Sequence, residues 1–359
     1  MRKIEDVVVY QDESFYASFP SVVVSPEGQL LLAFRRAPNR RLFGAGGYTH
    51  ADPNSYLVLV RSDDRGRTWS PEPEHIFAHP LGGSQDPCML MLRNGNIVLT
   101  SYAWTLVPNN EAEKADRALR VFDSWAFLPL GGYLLRSCDL GMSWEGPFVP
   151  PEFEDDTRWI DYVPKPALNR GAMVEGSDGL LYWAVVRTPR ELKHTMLELL
   201  VSADQGATWE HRSTIAQHET TAINETSLIE TADGQLVGFA RTAQFGDHGV
   251  IIRSSDRGKT WQWEDSGVVG HPYHALRLPD DRIYVVYGYR HEPYGIRARI
   301  WDPGCRQCGE ELVLRDDGWN HDLGYPWSCL AGDGQVLSVY YINHNDETRY
   351  IAGTLVEVS

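Results

Sequence analysis

Short apolar runs paired across tight polar turns recur along the whole chain: SVVVSPEGQLLLAF, CMLMLRNGNIVLTSY, AMVEGSDGLLYWAVV, SLIETADGQLVGFA, ALRLPDDRIYVVYG and SCLAGDGQVLSVYY. Each reads as strand, turn, strand, with the turn at Glu27-Gly28, Asn94-Gly95, Asp178-Gly179, Asp233-Gly234, Asp280-Asp281 and Asp333-Gly334. A third apolar strand follows in the first four units (YLVLVR, GYLLR, LELLV, VIIR), and each runs into the same polar hairpin. That hairpin is Ser62-x-Asp64-x-Gly66-x-Thr68-Trp69, and it returns at Ser137 to Trp144, Ser202 to Trp209 and Ser254 to Trp261. The Asp is expected to fold back on backbone N–H groups, the Gly to turn left-handed and the Trp to pack beneath.

A unit returning roughly every 50 to 75 residues signals a repeat architecture. Six four-stranded units predict an all-β, six-bladed β-propeller, in which ring closure removes all but short sheet edges. The fifth unit keeps its third strand, GIRARIWDPG, with a degenerate hairpin. The sixth ends in YIAGTLVEV without one, so the early strand EDVVVYQ is expected to supply its outer strand and close the ring. Residues 1–359 are thus expected to form one propeller domain, with an insertion at about 105–131 on blade two. Trp125 and Phe127 in that insertion would form an aromatic lip.

Strand order places residues in space. If the innermost strand of each blade runs down the channel, its start and the end of the second strand share one face, and the turns and Asp hairpins share the other. Nine residues before the second residue of each turn stand Phe19, Asp86, Arg170, Glu225, Pro272 and Tyr325. The second strands end at Arg35 and Arg36, Tyr102 and Trp104, Arg187, Arg241, Arg290, and Tyr340 with Tyr341. Arginines, aromatics and carboxylates gathered at one ring of equivalent positions mark the mouth of a site. His271 and His274, in HPYH, fall at the same level.

The Asp hairpins, the blade periodicity and the stretch from Asn224-Glu225 to Arg241 resemble the sialidase (neuraminidase) superfamily. The resemblance implies a retaining exo-glycoside hydrolase with Tyr325 as nucleophile, Glu225 as the base that activates it, and Arg241 binding a substrate carboxylate. It also implies a general acid on the Gly-rich loop after the second strand of blade one, where Asp52 is the sole carboxylate of RRAPNRRLFGAGGYTHADPNS, with His50 and Arg40 or Arg41 as neighbours. The family's opening Arg-Ile-Pro is replaced by Ser18-Phe19-Pro20, so the first arginine of its carboxylate-binding triad is missing. Arg36, Arg187 or Arg290 could take its place, since a planar fork can reach a carboxylate from several blades. Asp86, Arg170, His271 and Tyr102 complete the expected substrate-binding set, and Asp86 with Glu225 would also suit a conventional pair of glycosidase carboxylates.

Charge narrows the partners. Lys and Arg number 33 against 49 Asp and Glu, a net charge of −16 that disfavours nucleic acid and anionic membranes as partners and leaves small molecules and neutral surfaces open; the resemblance implies a carbohydrate, and the arginine ring an acidic one. Five cysteines, an odd number, and the lack of an apolar leader in MRKIEDVVVY favour a reducing, cytoplasmic setting. Cys305 and Cys308 have the spacing of half a zinc site without a second pair nearby, so neither metal nor cofactor is expected. The readings that stay open beside a sialidase-like hydrolase are another exoglycosidase, a polysaccharide lyase using Tyr325 and a His, and a non-catalytic glycan-binding propeller.

Overall fold

The structure is a computed structural model, described here for residues 1–40, 52–114, 119–122, 125–157, 166–167, 170–192, 194–345 and 348–358. Six sheets follow one another along the chain as blades of a propeller, antiparallel apart from the two-residue strand Gly171–Ala172, which runs parallel to the inner strand of the fourth. Blade I is Phe15–Val24, Leu30–Pro38, Tyr56–Ser62 and Glu74–Phe77, from channel to rim. Blade IV is Ala222–Glu230, Leu236–Ala243, His248–Ser254 and Gln262–Val269, and blade V is Tyr273–Arg277, Ile283–Tyr289, Gly295–Trp301 and Leu312–Arg315. In blade II the inner strand is split into Gly83–Ser84 and Cys88–Met91, both paired to Ile97–Pro108. Blade III has a short inner strand, Val174–Glu175, beside Leu181–Arg187. Blade VI is Gly324–Gly332, Gln335–Ile342 and Tyr350–Glu357, with Arg2–Tyr10 as its outer strand. The N-terminal strand closes the ring, as expected from the missing outer strand of the sixth unit.

Apolar residues on both faces of each blade pack against the neighbouring blades. Six buried clusters lie at the six blade-to-blade interfaces, for example Val23, Leu31 and Leu59 of blade I against Met89, Leu99 and Tyr133 of blade II. The Asp hairpins sit at one end of this ring. Asp64 accepts from the Thr68 amide at 2.8 Å and the Thr68 hydroxyl at 2.6 Å, and Ser62 Oγ accepts from the Gly66 amide at 2.9 Å. Asp139, Asp204 and Asp256 repeat the pattern. The residue before each Gly is left-handed too (Arg65, Leu140, Gln205, Arg257), which leaves the Gly as one of two positive-φ positions in the turn. Ion pairs tie hairpins to turns of the preceding blade, Arg65 to Asp333 and Arg257 to Asp178, and Arg257 also pairs with Glu230 at the end of its own blade's inner strand. Turns and hairpins therefore share one end, and the inner strands begin at the other.

At that other end three inner strands are bulged. Register shifts fall between Ser18 and Ser21, between Asn224 and Thr226, and between Gly324 and Trp327. Each encloses one ring position found by counting: Phe19, Glu225 or Tyr325. Phe19 and Tyr325 take φ of 57° and 49°, a left-handed conformation that a bulky residue rarely adopts. Bulges re-aim side chains, and here they turn three into the channel.

Candidate active site

Tyr325, Glu225 and Arg241 meet at the mouth. The Tyr325 hydroxyl donates to Glu225 Oε1 at 2.6 Å, and Arg241 Nη1 donates to Glu225 Oε2 at 2.8 Å and to the Tyr325 oxygen at 3.3 Å. Both partners of the short bond are buried. Burial raises the Glu225 carboxyl, but the Arg241 guanidinium and the hydrogen bonds from Arg241 and Tyr325 outweigh it and hold Glu225 below its ordinary value. Burial and the Glu225 charge push the Tyr325 phenol well up. At rest the proton stays on the tyrosine, and the carboxylate beside it is the acceptor.

Two more guanidinium groups flank that ring. Arg290 lies 5.3 Å and Arg170 5.5 Å from the Tyr325 ring centroid. Arg290 is anchored on the Leu323 carbonyl at 2.9 Å, and Arg170 on the carbonyls of Pro20 and Pro326 at 2.9 and 3.0 Å. Arg170 is wedged between Tyr325 and Trp327, so it forms the floor below the mouth. Asp86 completes that floor from the gap in the split strand of blade II; neither of its oxygens has a hydrogen-bond partner among the described residues. Burial pushes its carboxyl up to about 7, opposed by Arg170 and assisted by Glu225. Tyr102, whose phenol is raised by burial and then by Asp86, stands within electrostatic reach of Tyr325 and Glu225. His271 adjoins Arg241 and Arg290; burial, then those two cations, push its imidazole down to about 2, leaving it neutral.

Other expected residues are placed elsewhere. Arg36 lies over the Phe15 ring at 3.5 Å and pairs with Asp12 at 3.4 Å, away from the cluster. Its neighbour Arg35 takes the inward position, buried, reaching Ser18 Oγ at 3.4 Å and lying 5.8 Å from the Phe19 ring. Alternation along a strand permits only one of the two to face the channel. Arg187 is held by Glu198 at 2.9 Å, Asp155 at 2.9 Å and Asp156 at 3.1 Å, a blade III ion network separate from Tyr325. Asp52 is buried and bound by Arg40 Nε and Nη2 at 2.7 and 2.8 Å, within electrostatic range of Arg35. His50 and Arg41 lie outside the described residues. In the blade II insertion Trp125 is exposed while Phe127 is buried against Trp104, so only one of the two expected lip aromatics reaches solvent.

A second polar knot adjoins the first. Asp322, three residues before Tyr325, accepts from the hydroxyls of Tyr16 at 3.1 Å and Tyr341 at 3.0 Å and from Arg349 Nε at 2.8 Å. The Tyr341 and Phe19 rings pack against Tyr325, with centroids 6.0 and 4.7 Å away. Where the resemblance would place an arginine, Phe19 walls the nucleophile candidate edge-on. Tyr341 was legible as a strand top; Asp322 and Arg349, joined across 27 residues, carry no local signature.

Comparison with known proteins bears on the fold. Residues 120–337 match the model of the BNR repeat-like domain. A protein of unknown function from Dyadobacter fermentans is 46% identical, with 100% of this chain and 99% of that one covered and a TM-score of 0.92. The Hadza microbial sialidase Hz136 is 17% identical over 95% of this chain and 66% of its own, with a TM-score of 0.69. An α-L-arabinanase from Penicillium chrysogenum, solved with arabinobiose, is 14% identical over 99% of both chains, with a TM-score of 0.68. At those identities the two enzymes share its fold alone. No functionally curated protein matches the chain. The repeated blades and the family match, which spans more than half of the sequence, together place this chain in the BNR repeat-like domain family.

Proposed function

We propose that the protein is a retaining exo-glycoside hydrolase that releases a terminal acidic sugar. The observation that carries the reading is the buried 2.6 Å hydrogen bond from Tyr325 to Glu225, bridged by Arg241. A phenol held this far above its ordinary value is a poor nucleophile at rest, and it becomes one only if its proton leaves as the new bond forms. Glu225 receives that proton while Tyr325 attacks the anomeric carbon and the glycosidic C–O bond breaks. The departing oxygen takes a proton from a carboxyl on the blade I and II side. Asp52 can serve once substrate opens its pair with Arg40; Asp86, raised to about 7, already holds a proton near neutral pH. Water then attacks the glycosyl-tyrosine from the opposite side, giving its proton to the same carboxyl, and Tyr325 recovers its own from Glu225. Two inversions give net retention.

The acidic substrate follows from local charge. Arg241 pairs with Glu225 while Arg290 and Arg170 lie over the Tyr325 ring, three guanidinium groups against Glu225 and an Asp86 raised to about 7, so the mouth is cationic in a protein of net charge −16. Screening over about 8 Å at physiological salt lets these near charges outweigh the distant surface. Phe19 in place of an arginine means that the carboxylate grip differs from the sialidase pattern, which leaves uronides as well as sialosides within the class. Chromogenic glycosides carrying a sialic acid, a uronic acid and neutral sugars test the reading, with Glu225→Gln as the paired variant. Turnover of one acidic member, lowered about 10²–10⁴-fold in the variant, is expected. A product with a new double bond would assign a lyase, and saturable binding of an acidic glycan without any product would assign a binding module.

A further inference from the structure

Two residues of the mouth ring, Phe19 and Tyr325, stand in left-handed backbone, and both are followed by proline. Proline has no N–H, so its carbonyl is the one backbone group there that a hydrogen bond can hold. Arg170 takes both carbonyls: its Nη2 donates to Pro20 at 2.9 Å and to Pro326 at 3.0 Å. Those bonds use both hydrogens of one nitrogen and tie the bulge of blade I to the bulge of blade VI. Arg170 is buried, with its guanidinium 5.5 Å from the Tyr325 ring centroid and 5.0 Å from that of Trp327. The Phe19 and Tyr325 rings meet edge-on at 4.7 Å, and Tyr341, pinned through its hydroxyl by Asp322, packs on both with centroids 5.2 and 6.0 Å away.

We propose that Arg170 is a positioning residue: by holding the Pro20 and Pro326 carbonyls with one nitrogen it fixes both bulges and keeps the Tyr325 hydroxyl on Glu225, rather than binding substrate. The kinetic consequence rests on the reading of Tyr325 as the nucleophile; the clamp itself does not. A bulky residue stays left-handed only where its surroundings over-determine it. If Tyr325 relaxed toward ordinary strand dihedrals, alternation would turn its ring away from the channel and the 2.6 Å bond to Glu225 would open. The charge of Arg170 acts on buried Asp86, where it is the main influence opposing burial. An arginine committed to two main-chain carbonyls and a buried carboxyl leaves the acid group of the substrate to Arg241 and Arg290. Displacing an attacking atom by about 1 Å costs about 10²-fold in rate, and because ground-state contacts are untouched the loss falls on kcat.

Kinetics with an acidic chromogenic glycoside at about pH 5, where Asp86 keeps its proton with or without Arg170, separate the clamp from the charge. In Arg170→Met, an unbranched chain without a donor, kcat falls about 10–100-fold and KM stays within about twofold. Arg170→Lys, whose ammonium can donate to both carbonyls, recovers most of the loss. A kcat that holds in Arg170→Met overturns the proposal, and a KM raised beside it would make Arg170 a substrate ligand instead. Equal loss in both variants would place the effect in the packing of the planar group and overturns the clamp as well. A second readout needs no turnover: the low-field proton resonance of the Tyr325 hydroxyl, assigned by its absence from Tyr325→Phe. In Arg170→Met it moves upfield or broadens away, and an unmoved resonance overturns the clamp whether or not any glycoside is cleaved. A moved resonance in a protein that cleaves no glycoside supports the clamp and removes only the hydrolase.

Discussion

Replacing Asp86 by Asn removes a charge that the fold resists holding. The carboxyl is 1% exposed, neither oxygen has a hydrogen-bond partner among the described residues, and burial raises it from 3.8 to about 7 against the pull of Arg170. Between about pH 4 and pH 7 the folded protein therefore keeps a proton that the unfolded chain gives up, and stability falls as pH rises through that window. A shift of about 3 units at about 1.4 kcal/mol each corresponds to about 4 kcal/mol, which partial hydration on opening of the mouth reduces to about 2–4 kcal/mol. Asn has the same shape and no charge, so Asp86→Asn should escape this loss. Urea unfolding of both proteins at about pH 5 and about pH 8.5 measures it, because titrating groups not coupled to Asp86 cancel in the difference between them. The unfolded carboxyl is already mostly ionised at about pH 5, so about 2 of the 3 units fall between the two pH values and the variant should gain about 1.5–3 kcal/mol on the wild type. Parallel stabilities across the range would refute the reasoning. The same variant, compared with Asp52→Asn, identifies the proton donor, since loss of the acid lowers turnover about 10²–10⁴-fold and loss of the other carboxyl does not.

Asp322→Asn should destabilise the protein by about 3–5 kcal/mol in chemical denaturation, because Arg349, with 1% of its side chain exposed, would keep its charge and lose its counter-ion; a change under about 1 kcal/mol would show that water reaches it. Gly258→Ala, at φ of 77° with the new Cβ directed into the Leu199 side chain, should lower stability by about 1–3 kcal/mol without altering KM, as the hairpin lies at the end opposite the mouth.

The fold was written in the chain because its signals are local. A Gly or Asp at each turn, a hydroxyl and an Asp at fixed spacing in each hairpin, and alternating apolar runs between them suffice to count blades and to assign strand polarity. The same counting reached Glu225, Arg241 and Tyr325, which the fold brings within 3.3 Å of one another although 100 residues separate the outermost pair. It was less informative wherever a bulge resets alternation. Arg35 and Arg36 are adjacent in sequence, and alternation alone does not say which of them looks inward; the fold turns Arg35 toward Ser18 and Phe19. Arg187 matched the ring by position yet is claimed by Glu198 and Asp156, carboxylates on other segments that no spacing rule links to it. Asp52 stood on the expected loop, but its commitment to Arg40 is a matter of side-chain geometry that sequence does not contain.

The measurement that tests the central claim most directly is peptide mapping of the protein after incubation with a fluorinated, slowly released analogue of the acidic sugar it cleaves. A glycosyl adduct on Tyr325, absent in Tyr325→Phe and slower to form in Glu225→Gln, is predicted. An adduct on any other residue, or turnover by Tyr325→Phe at the wild-type rate, would contradict it.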